Sequence, residues 1–293
     1  MTGAGTIPTR RGRLSAYVKL MKPRIIELLL ITTVPAMVIA AGGWPGWRLV
    51  GATLVGGVLS AGGANAINNF LDRDIDVHME RTRRRPLPAQ VVGPSEALIL
   101  GLALGVAGFG WLWATTTVLA AILATAALLF YVFVYTILLK RTTPQNIVIG
   151  GAAGAVPALV GWAAVTGTLA LPAWILFAVV FYWTPAHFWA LALRFEEDYA
   201  RAGVPMLPVV AGEKATTLQI SLYATVVAAV SLLLHPAASL GAVYLVAAIV
   251  LGVLFVGSTF LLARDRTKAL MVFRFSNIYL ALLFAAAMLD VLV

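Results

Sequence analysis

Asn68, Asp72 and Asp76 stand at i, i+4 and i+8 in the run Asn68-Asn69-Phe70-Leu71-Asp72-Arg73-Asp74-Ile75-Asp76. If one helix continues through them, they form a single stripe that drifts about 40° and rises about 6 Å per step, with Asp74 pointing away. An amide oxygen and two carboxylates are hard oxygen ligands. They suit Mg²⁺, which takes one or two carboxylates and fills its other positions with water and substrate phosphate. The plainer alternative is a solvated acidic helix end. Against it, carboxylates at a helix C-terminus oppose the macrodipole.

Arg81, Arg83, Arg84 and Arg85 follow at once, and Arg forks bind phosphate or carboxylate in bidentate fashion. A second constellation spans His187 to Tyr199, with His187, Leu191, Arg194 and Asp198 at i, i+4, i+7 and i+11. On one continuous helix this sets an imidazole about 10 Å above an Arg and an Asp. His187 is then a candidate ligand, or a ring that hydrogen-bonds a neighbouring helix. Tyr135 with Lys140 and Arg141 reads equally as a phosphate clamp or as an interfacial aromatic with basic anchors.

The elements that must position these groups are membrane helices. The chain has 293 residues, 61% hydrophobic and 11% charged, with mean hydropathy +0.94. Soluble domains are about 45–50% apolar and about 25% charged, and a larger core would still need a polar wrapping. Without Cys, disulfides, thiolate metal sites and a Cys nucleophile are excluded. Apolar runs of about 20 residues predict nine spans, near 25–43, 49–71, 95–114, 116–139, 146–167, 171–193, 215–234, 240–262 and 270–292. The expected fold is an all-α, polytopic membrane bundle of nine transmembrane helices. A basic tail over 1–18, expected to lack structure, precedes a membrane domain over 19–293.

Of the 21 Lys and Arg residues, all except Arg48 fall in the tail, in alternate gaps or at span ends bordering those gaps. That asymmetry is the positive-inside pattern, and it explains the net charge of +9 without nucleic acid. It predicts a cytoplasmic N-terminus, an external C-terminus and both long loops, Asp72–Pro94 and Arg194–Lys214, on the cytoplasmic side. Each long loop begins with acidic residues after an even-numbered span and contains a Pro-rich element, Pro86-Leu87-Pro88 or Pro205-Met206-Leu207-Pro208. The pattern suggests a weak internal repeat of four helices, four helices and a ninth.

No G-x-x-x-x-G-K-[ST], G-x-S-x-G or H-E-x-x-H is present. The Asn68/Asp72/Asp76 pattern resembles the N-x-x-x-D-x-x-x-D motif of the intramembrane aromatic prenyltransferase superfamily, which includes the 4-hydroxybenzoate polyprenyltransferases. Within it the chain resembles the haem O synthase (protohaem IX farnesyltransferase) family. The further matching stretches are Arg81-Thr82 with Arg85-Pro86-Leu87-Pro88, Leu139 to Gly151, Trp183-Thr184-Pro185 to Trp189, and Asp198-Tyr199 with Pro205 to Val209. Many members carry a second D-x-x-x-D; here Arg194 stands at its first position, Asp198 at its second, and Glu197 is adjacent.

The resemblance implies Mg²⁺-dependent transfer of a farnesyl group from farnesyl diphosphate to a vinyl group of haem b, in a bacterial inner membrane with the site on the cytoplasmic side. It implies catalytic roles for Asn68, Asp72, Asp76 and Asp198, with Asn68, Asp72, Asp76, Glu197 and Asp198 as metal ligands. Arg73, Arg81, Arg85, Lys140, Arg141, Arg194 and Tyr135 would bind diphosphate or haem propionate, and His187 is the candidate haem ligand, with His78 as its competitor. Substrates and bilayer are the expected partners, nucleic acid is not, and the resemblance allows a haem A synthase or an oxidase-assembly protein beside them. The alternatives are prenylation of a quinone precursor or other lipid acceptor and, in another class, a transporter with intramembrane ligands.

Overall fold

A computed structural model describes residues 10–293, and every regular element among them is helical. In chain order the helices are α1 (Arg10–Leu20), α2 (Pro23–Ala41), α3 (Trp47–Leu71), α4 (Arg73–Asp76), α5 (Pro94–Thr115) and α6 (Val118–Leu129). A π-helical segment, Phe130–Leu139, continues α6. Then come α7 (Asn146–Thr166), α8 (Leu171–Arg194), α9 (Glu196–Arg201), α10 (Leu207–Ala237), α11 (Ala242–Arg264) and α12 (Ala269–Leu292).

Among the described residues, eight helices are long and apolar enough to cross a membrane: α3, α5, α6 with the π segment, α7, α8, α10, α11 and α12. The 19-residue α2, apolar over Ile31–Ala41, takes the place expected of the first span. Helix boundaries follow local chemistry. Pro occupies the first turn of α2, α5, α8 and α10, where its missing N–H leaves no partner wanting. Asp290, near the end of α12, accepts from the backbone N–H of Gly241 and, at 3.0 Å, of Tyr244. It thereby satisfies donors that the first turn of α11 leaves open.

Packing is close where side chains are small. α3 and α5 meet backbone to backbone: a Cβ on Gly63 would stand 2.7 Å from the carbonyl oxygen of Gly101. Glycine lets two membrane helices approach to this separation. Outward faces are apolar; Ile99, Leu102 and Val106 of α5 are 66%, 54% and 75% exposed, the i, i+3, i+7 face a helix shows to lipid. α8 lies centrally against α2, α7, α10 and α12, and buries Trp183, Trp189 and Leu193.

Two expectations are corrected. The basic tail is helical from Arg10 onward, where the sequence suggested no structure; its first nine residues lie outside the described part. α1 buries Ala16 and Leu20 against Ala66, Leu87, Val92 and Ala97, and Glu96 accepts from Arg13 at 2.8 Å and Tyr17 at 3.0 Å. Apolar contact and the carboxylate partner together stabilise a short helix that propensity alone leaves marginal. The second correction is that α8 does not continue to Asp198. Phe195, at φ −117° and ψ 28°, interrupts it before α9, so His187 and Asp198 do not share one helix face. α3 is interrupted more gently at Asp72 (φ −86°, ψ 0°).

Candidate active site

The stripe of Asn68, Asp72 and Asp76 survives the bend at Asp72. The backbone N–H of Asp72 donates to Asn68 and that of Asp76 to Asp72, each at 2.9 Å, so the four-residue repeat is maintained. All three side chains are buried and line one cavity of about 650 Å³. Asp74 points outward as expected, with its side chain 60% exposed. There Arg141 donates two hydrogen bonds to it, at 2.6 and 2.8 Å, and these hold the Asp74 carboxylate down at about 2.

Each inward carboxylate meets a cation. Lys140 Nζ lies 2.5 Å from Asp72 Oδ2, and one Arg85 nitrogen reaches both oxygens of Asp76, at 3.0 and 2.8 Å. Asn68 donates from Nδ2 to Asp72 Oδ2 at 2.8 Å and to Thr136 Oγ1 at 3.0 Å. Its Oδ1 accepts from Lys22 Nζ at 2.6 Å. Lys22 sits between α1 and α2, in a left-handed conformation (φ 54°) that turns the chain into Pro23. Burial, reinforced by the Arg85 charge, pushes its ammonium down to about 7.

The π segment brings further groups to this wall. A π turn bonds residue i to i+5, and here Lys140 N–H donates to the Tyr135 carbonyl at 2.8 Å and Thr136 Oγ1 to that of Tyr131 at 2.8 Å. The rings of Tyr131 and Tyr135 stack 5.2 Å apart. Gly150 of α7 makes room for Tyr135, since a Cβ there would stand 3.0 Å from that ring's Cγ.

The second long loop closes on the first. The Arg81 backbone N–H donates to Asp198 Oδ2 at 3.4 Å and its guanidinium to the Tyr199 hydroxyl at 3.2 Å. Asp198 is buried and also pairs with Arg201. Thus Lys22, Arg81, Arg85, Lys140, Tyr131, Tyr135 and Tyr199 join the acidic stripe around the cavity. Arg73, Arg141, Arg194 and Glu197 are exposed and do not line it, and Asp198 stands behind Arg81. Arg73 instead donates to the Phe70 carbonyl at 2.6 Å and covers the Phe70 ring. Lys22, Tyr131 and Thr136 are site residues that the motifs did not mark; the one signal in the sequence was a Lys immediately before a Pro that opens an apolar run.

From this polar end the cavity wall follows α3 from Asp72 back to Thr53, roughly 28 Å along the helix axis. The lining there is apolar or weakly polar, with Leu54, Ala124, Leu128 and Val160. His187, Phe188, Phe273 and Asn277 form another part of the wall. His78 is exposed and outside it.

The donor set fits a divalent cation. Asp72 Oδ1 is buried with no hydrogen-bond partner, an arrangement that is costly unless another charge meets it. Around it stand the Asp76 carboxylate, the Asn68 amide and cations able to turn from carboxylate to phosphate. One cavity therefore joins a strongly charged end to a long apolar wall, which suits an amphiphile with a phosphorylated head and a hydrocarbon tail.

Comparison with known proteins agrees. Residues 29–286 match the UbiA prenyltransferase family. A protein named protoheme IX farnesyltransferase from Parafrankia sp. (strain EAN1pec) is 52% identical over 290 residues, covering 96% of this chain and 92% of the relative. Another of that name, from Gloeobacter violaceus, is 51% identical, covering 97% and 94%. Among solved structures, one from work on digeranylgeranylglyceryl phosphate synthase superposes with a TM-score of 0.78 at 20% identity, over 95% of this chain and 98% of the other. A UbiA homologue from Archaeoglobus fulgidus bound to DMAPP and Mg²⁺ gives 0.63 at 15%, over 92% and 98%. At such identities these structures share the fold. By its sequence along almost its whole length, and by the helical bundle around this charged cavity, the chain belongs to the UbiA prenyltransferase family and is a multi-pass membrane prenyltransferase.

Proposed function

We propose that the enzyme transfers a farnesyl group from farnesyl diphosphate to a vinyl group of haem b. The observation that carries this reading is the identity of about half of all residues with proteins named protoheme IX farnesyltransferase, over more than nine-tenths of both chains. The cavity supports it: a charged head site, a channel of sufficient length for a prenyl tail, and a separate wall bearing the one His that lines it.

Lys22, Arg81, Arg85 and Lys140 receive the diphosphate. To do so, Arg85 and Lys140 turn from Asp76 and Asp72 toward its oxygens, and the two carboxylates with Asn68 are then free to hold Mg²⁺. The bound ion would neutralise charge that develops on the leaving diphosphate. The allylic C–O bond breaks with its electron pair going to the diphosphate. The vinyl π pair then bonds to the farnesyl carbon, and the cation left beside the porphyrin ring takes up water and loses a proton, giving a hydroxyethylfarnesyl side chain. The apolar channel keeps bulk water from the first cation. The Archaeoglobus homologue of the same fold was solved with DMAPP and Mg²⁺ bound, which supports a prenyl diphosphate and Mg²⁺ as ligands here. The asymmetry of the basic loops supports a charged end at the cytoplasmic face of the inner membrane.

The test is mass spectrometry of products after incubating the purified enzyme with haem b, farnesyl diphosphate and Mg²⁺. The expected product is haem b increased by one farnesyl group and one hydroxyl group. Transfer to a quinone precursor such as 4-hydroxybenzoate, with haem b left unchanged, would replace this reading by the quinone alternative.

A further inference from the structure

We propose that His187 ligates the iron of haem b through Nε2, and that Ser276 fixes the ring tautomer that leaves this nitrogen unprotonated. The inference rests on haem b being the acceptor. It starts from a buried group that the transfer chemistry above does not use. His187 lies in α8 and is 6% exposed, yet it lines the cavity. Both ring faces are covered, by Trp183 with centroids 4.2 Å apart and by Phe273 at 4.5 Å, each in near-parallel stacking. Motion of the imidazole out of its plane is therefore blocked, and only its edges remain for polar contact.

One edge is committed. His187 Nδ1 lies 2.7 Å from Ser276 Oγ. The Ser276 hydroxyl has a single proton, and it donates that proton to the Phe273 carbonyl at 2.7 Å. Its oxygen is then the acceptor, so Nδ1 of His187 carries the ring proton. The neutral ring keeps its lone pair on Nε2, the form in which imidazole ligates a metal. Ser276 is itself anchored, because Trp183 Nε1 donates to its backbone carbonyl at 2.8 Å. This resembles the way a metal-binding His is generally oriented, by donating its other N–H to a fixed oxygen. Of the three His residues, His187 alone lines the cavity. α8 ends seven residues later, so His187 stands roughly 10 Å along the axis from that helix end, the end that leads into the loop where Tyr199 meets Arg81. A porphyrin held there would share the cavity with the prenyl chain.

Purified enzyme in detergent is titrated with haem b and, separately, with iron-free protoporphyrin IX. His187→Ala is expected to weaken haem b at least tenfold and to change the Soret band, while protoporphyrin IX affinity stays within about twofold; these thresholds are set by the loss of one ligand bond. Added imidazole should restore the wild-type Soret band in that variant. Ser276→Ala should weaken haem b by a smaller factor and shift the Soret band without affecting protoporphyrin IX, and Ser276→Thr should restore both. Farnesyl diphosphate affinity unchanged in each variant shows that the bundle is intact. An unaltered haem b affinity and spectrum in His187→Ala overturns the ligand assignment, as does an equal loss of haem b and protoporphyrin IX. Wild-type enzyme that binds neither porphyrin overturns the acceptor reading itself, an outcome distinct from both.

Discussion

Replacing Asp72 by Asn separates charge from shape at the centre of the site. The Asp72 side chain is 1% exposed and Lys140, its partner at 2.5 Å, is 15% exposed. Breaking a buried pair from one side costs about 3–5 kcal/mol. Lys140 lines the cavity, where water can reach it, so the lower figure of about 3 kcal/mol applies to stability. The cavity wall carries Lys22, Arg81, Arg85 and Lys140 against Asp72 and Asp76, a formal excess of positive charge that the substitution increases. Metal-free farnesyl diphosphate should therefore bind as tightly as before, or more tightly. Turnover should nevertheless fall by about 10²–10³-fold, the effect of losing one group that stabilises developing charge, equivalent to about 3–4 kcal/mol of barrier. Equilibrium binding of labelled farnesyl diphosphate with and without Mg²⁺, set beside the rate of prenylated haem formation, reads both quantities. Asp74→Asn is the internal control, because that carboxylate is exposed and faces Arg141 outside the cavity. Turnover within about threefold of wild type in Asp72→Asn, or equal losses in the two variants, would refute the argument.

Chelation by EDTA should abolish transfer, and excess Mg²⁺ should restore it; undiminished rates in chelator would remove the metal from the reaction. Gly150→Ala should push Tyr135 from its seat, because the added Cβ falls within 3.0 Å of the ring's Cγ, and should lower turnover at least tenfold by a geometric shift near 1 Å, measured by product formation alongside intact membrane insertion. Asp74 has a folded value near 2, below its unfolded one, so its stabilising contribution is full above about pH 4 and disappears as pH falls through about 2. In thermal melts Asp74→Asn should lie below wild type at pH 6 by less than about 1 kcal/mol, as befits an exposed pair, with the gap closing toward pH 2.

The spans and the acidic stripe were legible because they are local. An apolar run of sufficient length needs no tertiary information, and a four-residue spacing on a helix holds even through the bend at Asp72. Asp74 was assigned outward by the same periodicity. What escaped depends on distant parts of the chain meeting. Lys22 reaches Asn68 across 46 residues, and the Ser276 hydroxyl finds His187 across 89. The break at Phe195 separates Asp198 from the helix that carries His187, and Arg194 and Glu197 lie outside the cavity. α1 was missed because its sequence is polar and basic; only the apolar contact of Ala16 and Leu20 and the Glu96 carboxylate make it a helix.

The π segment has a consequence for how this enzyme tolerates change in length. In an α-helix, positions five apart differ in azimuth by roughly 140°, so Tyr135 and Lys140 would address different neighbours. The wider turn over Phe130–Leu139 retards the winding by about one residue, and the lower half of the span is out of phase with the upper half. The upper half keeps Ala120, Ala121 and Ala124 in the core, while the lower half turns Tyr131, Tyr135 and Lys140 to the cavity. Deleting one residue here would let the span relax into a uniform α-helix of better hydrogen bonding, with its membrane core undisturbed. Straightening the segment with all its residues kept would swing Lys140 away from Asp72 by about 100°, whereas the deletion would leave its azimuth unchanged. The segment thus stores an angular offset between anchoring and chemistry, and its wider turn, more than its hydrophobicity, is what the active site depends on.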